Sequence, residues 1–175
     1  MHIEFTQAQE QHLEKLVELV NSAYRGESSK KGWTTEANFL DGQRVDIETL
    51  REIIGKEDAA ILIAEDEDAD KIVGCVQLEK QGSDLYLGML TVSPELQKKG
   101  LGRQLLQESE AFAEFWDCTH IVMTVIGIRT ELIEWYEGHG FKKTGEKKPF
   151  PYGNERFGIP KVPDLYFEVL KKRLS

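Results

Sequence analysis

The chain has 175 residues, 40% hydrophobic and 30% charged, the composition of an ordinary globular protein expected to form one domain over residues 1–175. Thirty-one acidic against 22 basic side chains leave a net charge of −9, which disfavours nucleic acid and mildly favours a cationic acceptor such as an amine. No apolar run nears the roughly 20 residues of a membrane span, the opening MHIEFTQAQE lacks a signal-peptide pattern, and Cys75 and Cys118 form neither a disulfide framework nor a metal-ligand spacing, so a cytoplasmic, metal-free chain is expected.

Residues 2–6 alternate apolar and polar like a short strand. Thr6 and Gln9 have capping-box spacing ahead of Leu13, Leu16, Val17, Val20 and Tyr24, predicting a helix over about 7–24. The polar stretch RGESSKKGWTTEANFLDGQRVD follows. Long connections are functional or disordered, and Trp33, Phe39 and Leu40 argue for order, with a helical turn expected over 35–40. Asp46 then caps a helix carrying Ile47, Leu50, Ile53 and Ile54, closed by Gly55. Residues 59–64 read as a buried strand and 71–77 as its hairpin partner. Asp66, Asp68 and Asp70 copy the start of a calcium loop, but Lys71 and Gln77 stand where that loop needs Gly and Glu, so a solvated tip is expected.

The stretch LYLGMLTVSPELQKKGLGRQLL, residues 85–106, organises the chain. Its first half is a buried strand ending in Thr91 and Val92, stopped by Ser93-Pro94. Leu101, Leu105, Leu106, Phe112 and Ala113 then share one helix face. The strand thus delivers the turn Gln97-Lys98-Lys99-Gly100-Leu101-Gly102-Arg103 to a helix N-terminus, where unpaired N–H groups and the dipole favour an anion. By itself Gly-x-Gly serves equally as a tight turn before a core helix. Residues 120–125 follow as a central strand, then a helix opened by Arg129-Thr130. A final strand pair over 141–147 and 164–170 flanks the loop KPFPYGNERFGIPKVP.

Gln97-x-x-Gly100-x-Gly102 after Leu90-Thr91-Val92-Ser93-Pro94 closely resembles the coenzyme-A motif of the GNAT superfamily of N-acetyltransferases. Glu134-Trp135-Tyr136-Glu137-Gly138-His139-Gly140-Phe141 resembles that family's later motif. The element order βααβββαβαββ matches over nearly the whole chain. The resemblance implies an α+β fold, a mixed and mostly antiparallel sheet of about seven strands flanked by about four helices. It implies acetyl-CoA as acetyl donor, with Leu90, Thr91 and Val92 along its arm, Leu90 N–H on the thioester oxygen, and Gln97, Lys98, Lys99, Gly100, Leu101, Gly102 and Arg103 around its pyrophosphate. Tyr136 matches the general acid.

Two positions depart from the family pattern. Arg129 stands where the family often has Asn, so that cofactor contact is either lost or replaced by an ionic one. Tyr86 stands where many members carry a glutamate base, so the base is a carboxylate elsewhere, such as Glu27, or a water chain. Tyr24, Glu27, Trp33 and Tyr86 are expected near the acceptor, with the loop bearing Trp33 and the loop over 149–163 touching above it. The leading expectation is direct acetyl transfer to a primary amine of a small molecule in a ternary complex, by a monomer or homodimer without nucleic-acid or membrane partners. A protein N-terminal or lysine acetyltransferase, and a catalytically silent CoA-binding sensor, are the alternatives.

Overall fold

The computed structural model describes residues 1–156 and 158–175, with the side chain of Glu27 also outside the described residues. Strand β3 (Ala59–Asp66) reads as an apolar run because both its faces are covered. Leu62 and Ala64 enter one core and Ile61 and Ile63 the other, as strand alternation requires. The first core is completed by Leu101, Leu105, Leu106 and Ala113 of α4 (Leu101–Phe115) and by Ile133 and Tyr136 of α5 (Thr130–Gly138). The second takes Leu13, Leu16 and Val20 of α1 (Leu13–Tyr24) with Leu50 and Ile53 of α3 (Ile47–Ile54).

The sheet has the expected seven strands, in the order β1-β3-β4-β5-β6-β9-β7. They are β1 (Ile3–Gln7), β3, β4 (Lys71–Gln81), β5 (Asp84–Val92), β6 (His120–Ile126), β7 (Lys142–Pro149) and β9 (Tyr166–Arg173). Every pairing is antiparallel except β5 with β6. The class is therefore the mixed, mostly antiparallel α+β arrangement expected.

Three local expectations change. Thr6 belongs to β1, paired with Ile63, so it does not cap a helix. The capping pair is Gln9 and His12, after a 3-10 turn over Glu10–His12, and α1 begins only at Leu13. The helical turn expected over 35–40 is present as one turn, in which Phe39 and Leu40 both donate to Glu36 O, but it stops before Leu40. Leu40 then enters β2 (Leu40–Asp41), which pairs with β8 (Ile159–Pro160). A four-residue helix, α2 (Gly26–Ser29), also lies in the first long loop. Neither two-residue strand has a local pattern, because its partner lies more than a hundred residues away.

Asp46 caps α3 as expected, accepting from Thr49 N at 2.9 Å, and Arg156 also holds it, with Nε 2.8 Å from Oδ2. The Arg156 hydrogen bond, then the Thr49 backbone bond, hold its carboxyl at about 2, below the ordinary 3.8. We expect Asp46→Ala to lower stability by about 1 kcal/mol near neutral pH. A depressed carboxyl contributes stability that is present above the unfolded value and lost as pH falls through the folded one. The difference between parent and variant, read from urea titrations, should therefore hold above about pH 4 and shrink towards pH 2.

Candidate active site

β5 and β6 pair only over residues 84–86 against 120–122, and beyond Tyr86 the two strands part. On the other edge of β5, Cys75 faces Thr91 while Gln77 faces Gly88, so β5 carries one extra residue opposite Val76. At this bulge Met89 has φ 56°, a left-handed conformation that costs an ordinary residue about 1–2 kcal/mol. Thr91 Oγ1 donates to Met89 O at 2.8 Å and holds the kink. Because a trans peptide is planar, pinning Met89 O also fixes the direction of the Leu90 N–H on its far side. Tyr24 Oη donates to Leu90 O at 2.8 Å, anchoring the next peptide to α1.

After β5 the chain makes a 3-10 turn over Pro94–Leu96 and reaches Gly100, the N-cap of α4, at φ 84° and without a capping side chain. Gln97 braces this turn from two sides. Its Nε2 donates to Val92 O at 3.1 Å, and its Oε1 accepts from Trp33 N at 2.9 Å. A Cβ on Gly32 would overlap the Gln97 amide, so the first long loop packs directly on the turn. A Cβ on Gly102 would lie 3.3 Å from the Trp135 ring, so glycine keeps α4 close to α5.

These parts enclose a cleft of about 440 Å³. Leu90, Thr91, Val92, Gln97, Lys98, Gly100, Gly102, Arg103 and Arg129 line it, together with Trp33, Trp135 and Tyr136. Leu101 is instead a core residue, and Lys99 borders a separate depression beside Met1, Ile3 and Phe5, so neither side chain faces the cleft. The Thr91 side chain is buried, engaged with Met89 O.

A second cavity of about 230 Å³ adjoins the first, sharing Tyr24, Leu90, Arg129, Leu132 and Tyr136. The two long loops meet over it, as expected. β2 pairs with β8, Lys161 N donates to Phe39 O at 2.8 Å, and Phe150, Pro151, Asn154 and Gly158 of the later loop join the lining. Tyr86 lines this cavity too. A Cβ on Gly88 would come within 3.0 Å of its ring. Trp33 does not reach the second cavity. It borders the first cleft, 6.4 Å from Trp135 between ring centroids. Tyr152 lines neither; its hydroxyl donates to Val162 O and accepts from Leu165 N.

In the wall of the second cavity lies a buried charge cluster that no spacing in the sequence announces. Glu36 is 5% exposed and sits between Arg25 at 6% and Arg129 at 4%. Arg25 Nε and Nη2 reach Oε1 at 3.0 and 2.9 Å, and Arg129 Nη1 reaches Oε2 at 3.0 Å. Arg129 Nη2 also donates to Thr34 Oγ1 at 2.8 Å, while its Nε is buried without a hydrogen-bond partner among the described residues. Nothing in the sequence pattern marks Arg25, Glu36 or Arg44, since loop charges have no periodicity. Their signal is tertiary convergence.

Tyr136 is both a packed core residue and part of both cavity walls. Its ring makes edge contacts with Trp135 and Phe141, and burial raises its phenol above the ordinary value. Burial likewise pushes the Tyr24 phenol up to about 12. Both are neutral at physiological pH, and the upward shifts make each a weaker acid than an exposed phenol.

An acetyltransferase (GNAT) domain model matches residues 7–151, and the chain belongs to that family of N-acetyltransferases. Among solved structures, PaiA N-acetyltransferase from Thermoplasma acidophilum in complex with coenzyme A is 19% identical, with a TM-score of 0.70 over 99% of this chain and 100% of that one. The ribosomal-protein alanine N-acetyltransferase of Escherichia coli is 13% identical, TM-score 0.73, over 99% and 95%. A GNAT-family acetyltransferase from Staphylococcus aureus is 15% identical, TM-score 0.70, over 99% and 100%. At such identities the likeness is one of fold. No helix among the described residues is long and apolar enough to cross a membrane.

Glu36→Gln should remove the one carboxylate that Arg25 and Arg129 share. Breaking a buried ion pair by neutralising one partner costs about 3–5 kcal/mol, and a loss of that order is expected in chemical denaturation.

Proposed function

We propose that the chain binds acetyl-CoA in the cleft beside β5 and transfers the acetyl group to a primary amine of a small molecule held in the adjoining cavity. The observation that carries this reading is the parting of β5 from β6 next to the uncapped N-terminus of α4. An extended amide arm fits an open strand edge, as in strand addition, and a pyrophosphate fits the N–H groups and dipole of a helix start. Gly100 offers close backbone approach, since nothing lies within 4 Å of the position a Cβ would take. Lys98 and Arg103 add positive charge at the mouth. We take the whole chain to be one catalytic domain acting in the cytoplasm, as a monomer or homodimer.

When bound, acetyl-CoA supplies the activated acetyl thioester. The chain's own contribution begins with Leu90 N–H, a donor for the oxygen on which charge develops, held in place by the Thr91–Met89 hydrogen bond. Tyr136, a neutral phenol in the wall of both cavities, is the proton source for the departing thiolate. Among the described residues Glu36 is the only carboxylate lining either cavity, and both its oxygens are engaged by arginines. Tyr24, at about 12, is no base near neutrality. We take the amine's proton to leave through water, one of the two routes the absent strand glutamate leaves open. The pH dependence of kcat/KM should accordingly follow the acceptor's own amine.

Thiol release from acetyl-CoA over an amine panel tests the reading. Acetyl-CoA binding with no product from any amine would favour the silent sensor instead. Tyr136→Phe should lower kcat by about 10²–10⁴-fold while acetyl-CoA affinity stays near the parent value. An unchanged chemical step in single-turnover measurements would remove Tyr136 from the mechanism. Gly100→Val places a branched residue at a left-handed φ and against the anion, so acetyl-CoA affinity should fall by at least ~1.4 kcal/mol, tenfold, in calorimetry.

A further inference from the structure

We infer that the acceptor carries an anionic group beside its amine, a carboxylate or phosphorus oxoacid, and that the second cavity recognises it through Arg44 and Arg129. This deepens the acetyl-transfer reading and rests on it. The overall charge of −9 points towards a cationic acceptor, but the cavity reverses that sign locally. Its lining brings together Arg25, Arg44 and Arg129 against Glu36 alone among carboxylates of the described residues. A lone cationic amine would meet an excess of positive charge there.

Two of the arginines have unused donors. Arg129 is 4% exposed, and its Nε has no hydrogen-bond partner among the described residues. Buried donors in native proteins nearly always have an acceptor, so Arg129 carries a donor that the described residues leave unmatched. Arg44 is half-buried, and its guanidinium makes no ion pair or hydrogen bond among the described residues. It lies over the Tyr24 ring, 5.2 Å from the centroid, while Arg129 approaches the same ring at 5.9 Å. Tyr24 is itself tied to Leu90 O, so both guanidinium groups gather at the end of the cavity where it meets the cleft. Planar guanidinium forks match the paired oxygens of a carboxylate, phosphonate or phosphinate.

Glu36 has a clear role in this arrangement. By pairing with both Arg25 and Arg129 it fixes their geometry, and with Arg44 beside them the cavity keeps a net positive charge. The volume of about 230 Å³ lies below the ~300–1,000 Å³ usual for drug-sized ligands, which fits an acceptor of amino-acid size. An oxyanion bound here leaves its neighbouring amine close to Leu90 and Tyr136, which both cavities share.

The test uses matched acceptors: α-amino acids, their primary amides, aminoalkylphosphonates, and spermidine. Thiol release gives kcat/KM, and calorimetry gives binding to the CoA-saturated protein without requiring turnover. The acids and phosphonates should exceed the amides by ~10-fold or more, and spermidine should be poorest. Arg44→Gln should reduce the acid-to-amide ratio by ~10-fold with the acetyl-CoA Kd unchanged, and Arg44→Lys should restore part of it. Preference for amides or spermidine, or a ratio indifferent to Arg44→Gln, overturns the inference while leaving acetyl transfer intact. If acetyl-CoA itself fails to bind, the acetyl-transfer reading fails. Calorimetry of acids against amides on the free protein then still decides the anion site, and binding of neither overturns it.

Discussion

Parallel pairing between β5 and β6 lasts three residues, and most of the surrounding structure follows from its ending. Past Tyr86, one edge of β5 has no strand beside it. Exposed backbone donors and acceptors at a sheet interior are costly unless something occupies the gap. The bulge at Met89 sits where the gap begins, and its left-handed backbone persists because Thr91 and the β4 register over-determine it. The same stretch then runs through the Pro94 turn to the positive end of α4, so a strand edge and an anion site follow one another along one segment.

The Arg25–Glu36–Arg129 cluster plays a different part. It joins the end of α1, the first long loop and the start of α5. Buried ion pairs are weak sources of net stability, because desolvation offsets their attraction. Their value is positional. Glu36 aligns two guanidinium groups on a cavity that the overall acidic composition would have led one to expect to be negative or neutral. Local arrangement therefore outweighs net charge within the site, although the −9 still acts on encounter at distances beyond about 10 Å only weakly, being screened by salt.

The roof of the second cavity is made from two loops that reinforce one another. Pairing of β2 with β8, the Lys161–Phe39 backbone bond and the Arg156–Asp46 pair cross between them. Leu40, Ile126 and Leu165 form a small core beneath. Aromatic and apolar residues in the loops are thus partly explained by packing, and Tyr152 in particular serves the loop's own hydrogen bonds rather than the cavity.

The sequence by itself determined the sheet strands, the α3 cap at Asp46 and the glycine turn ahead of α4. Each depends on near neighbours: alternation, a side chain reaching its own helix start, a backbone angle only glycine adopts freely. It also carried the family motifs that pick out Leu90, Gln97, Gly100 and Tyr136. Only the tertiary structure decided that Lys99 turns away from the cleft, that Trp33 joins the first cavity, and that Arg25, Glu36, Arg44 and Arg129 converge on the second. The reason is physical. Charges in a long loop obey no period, and their partners are chosen by which segments the fold brings together, so their chemistry exists only once the chain has closed around them.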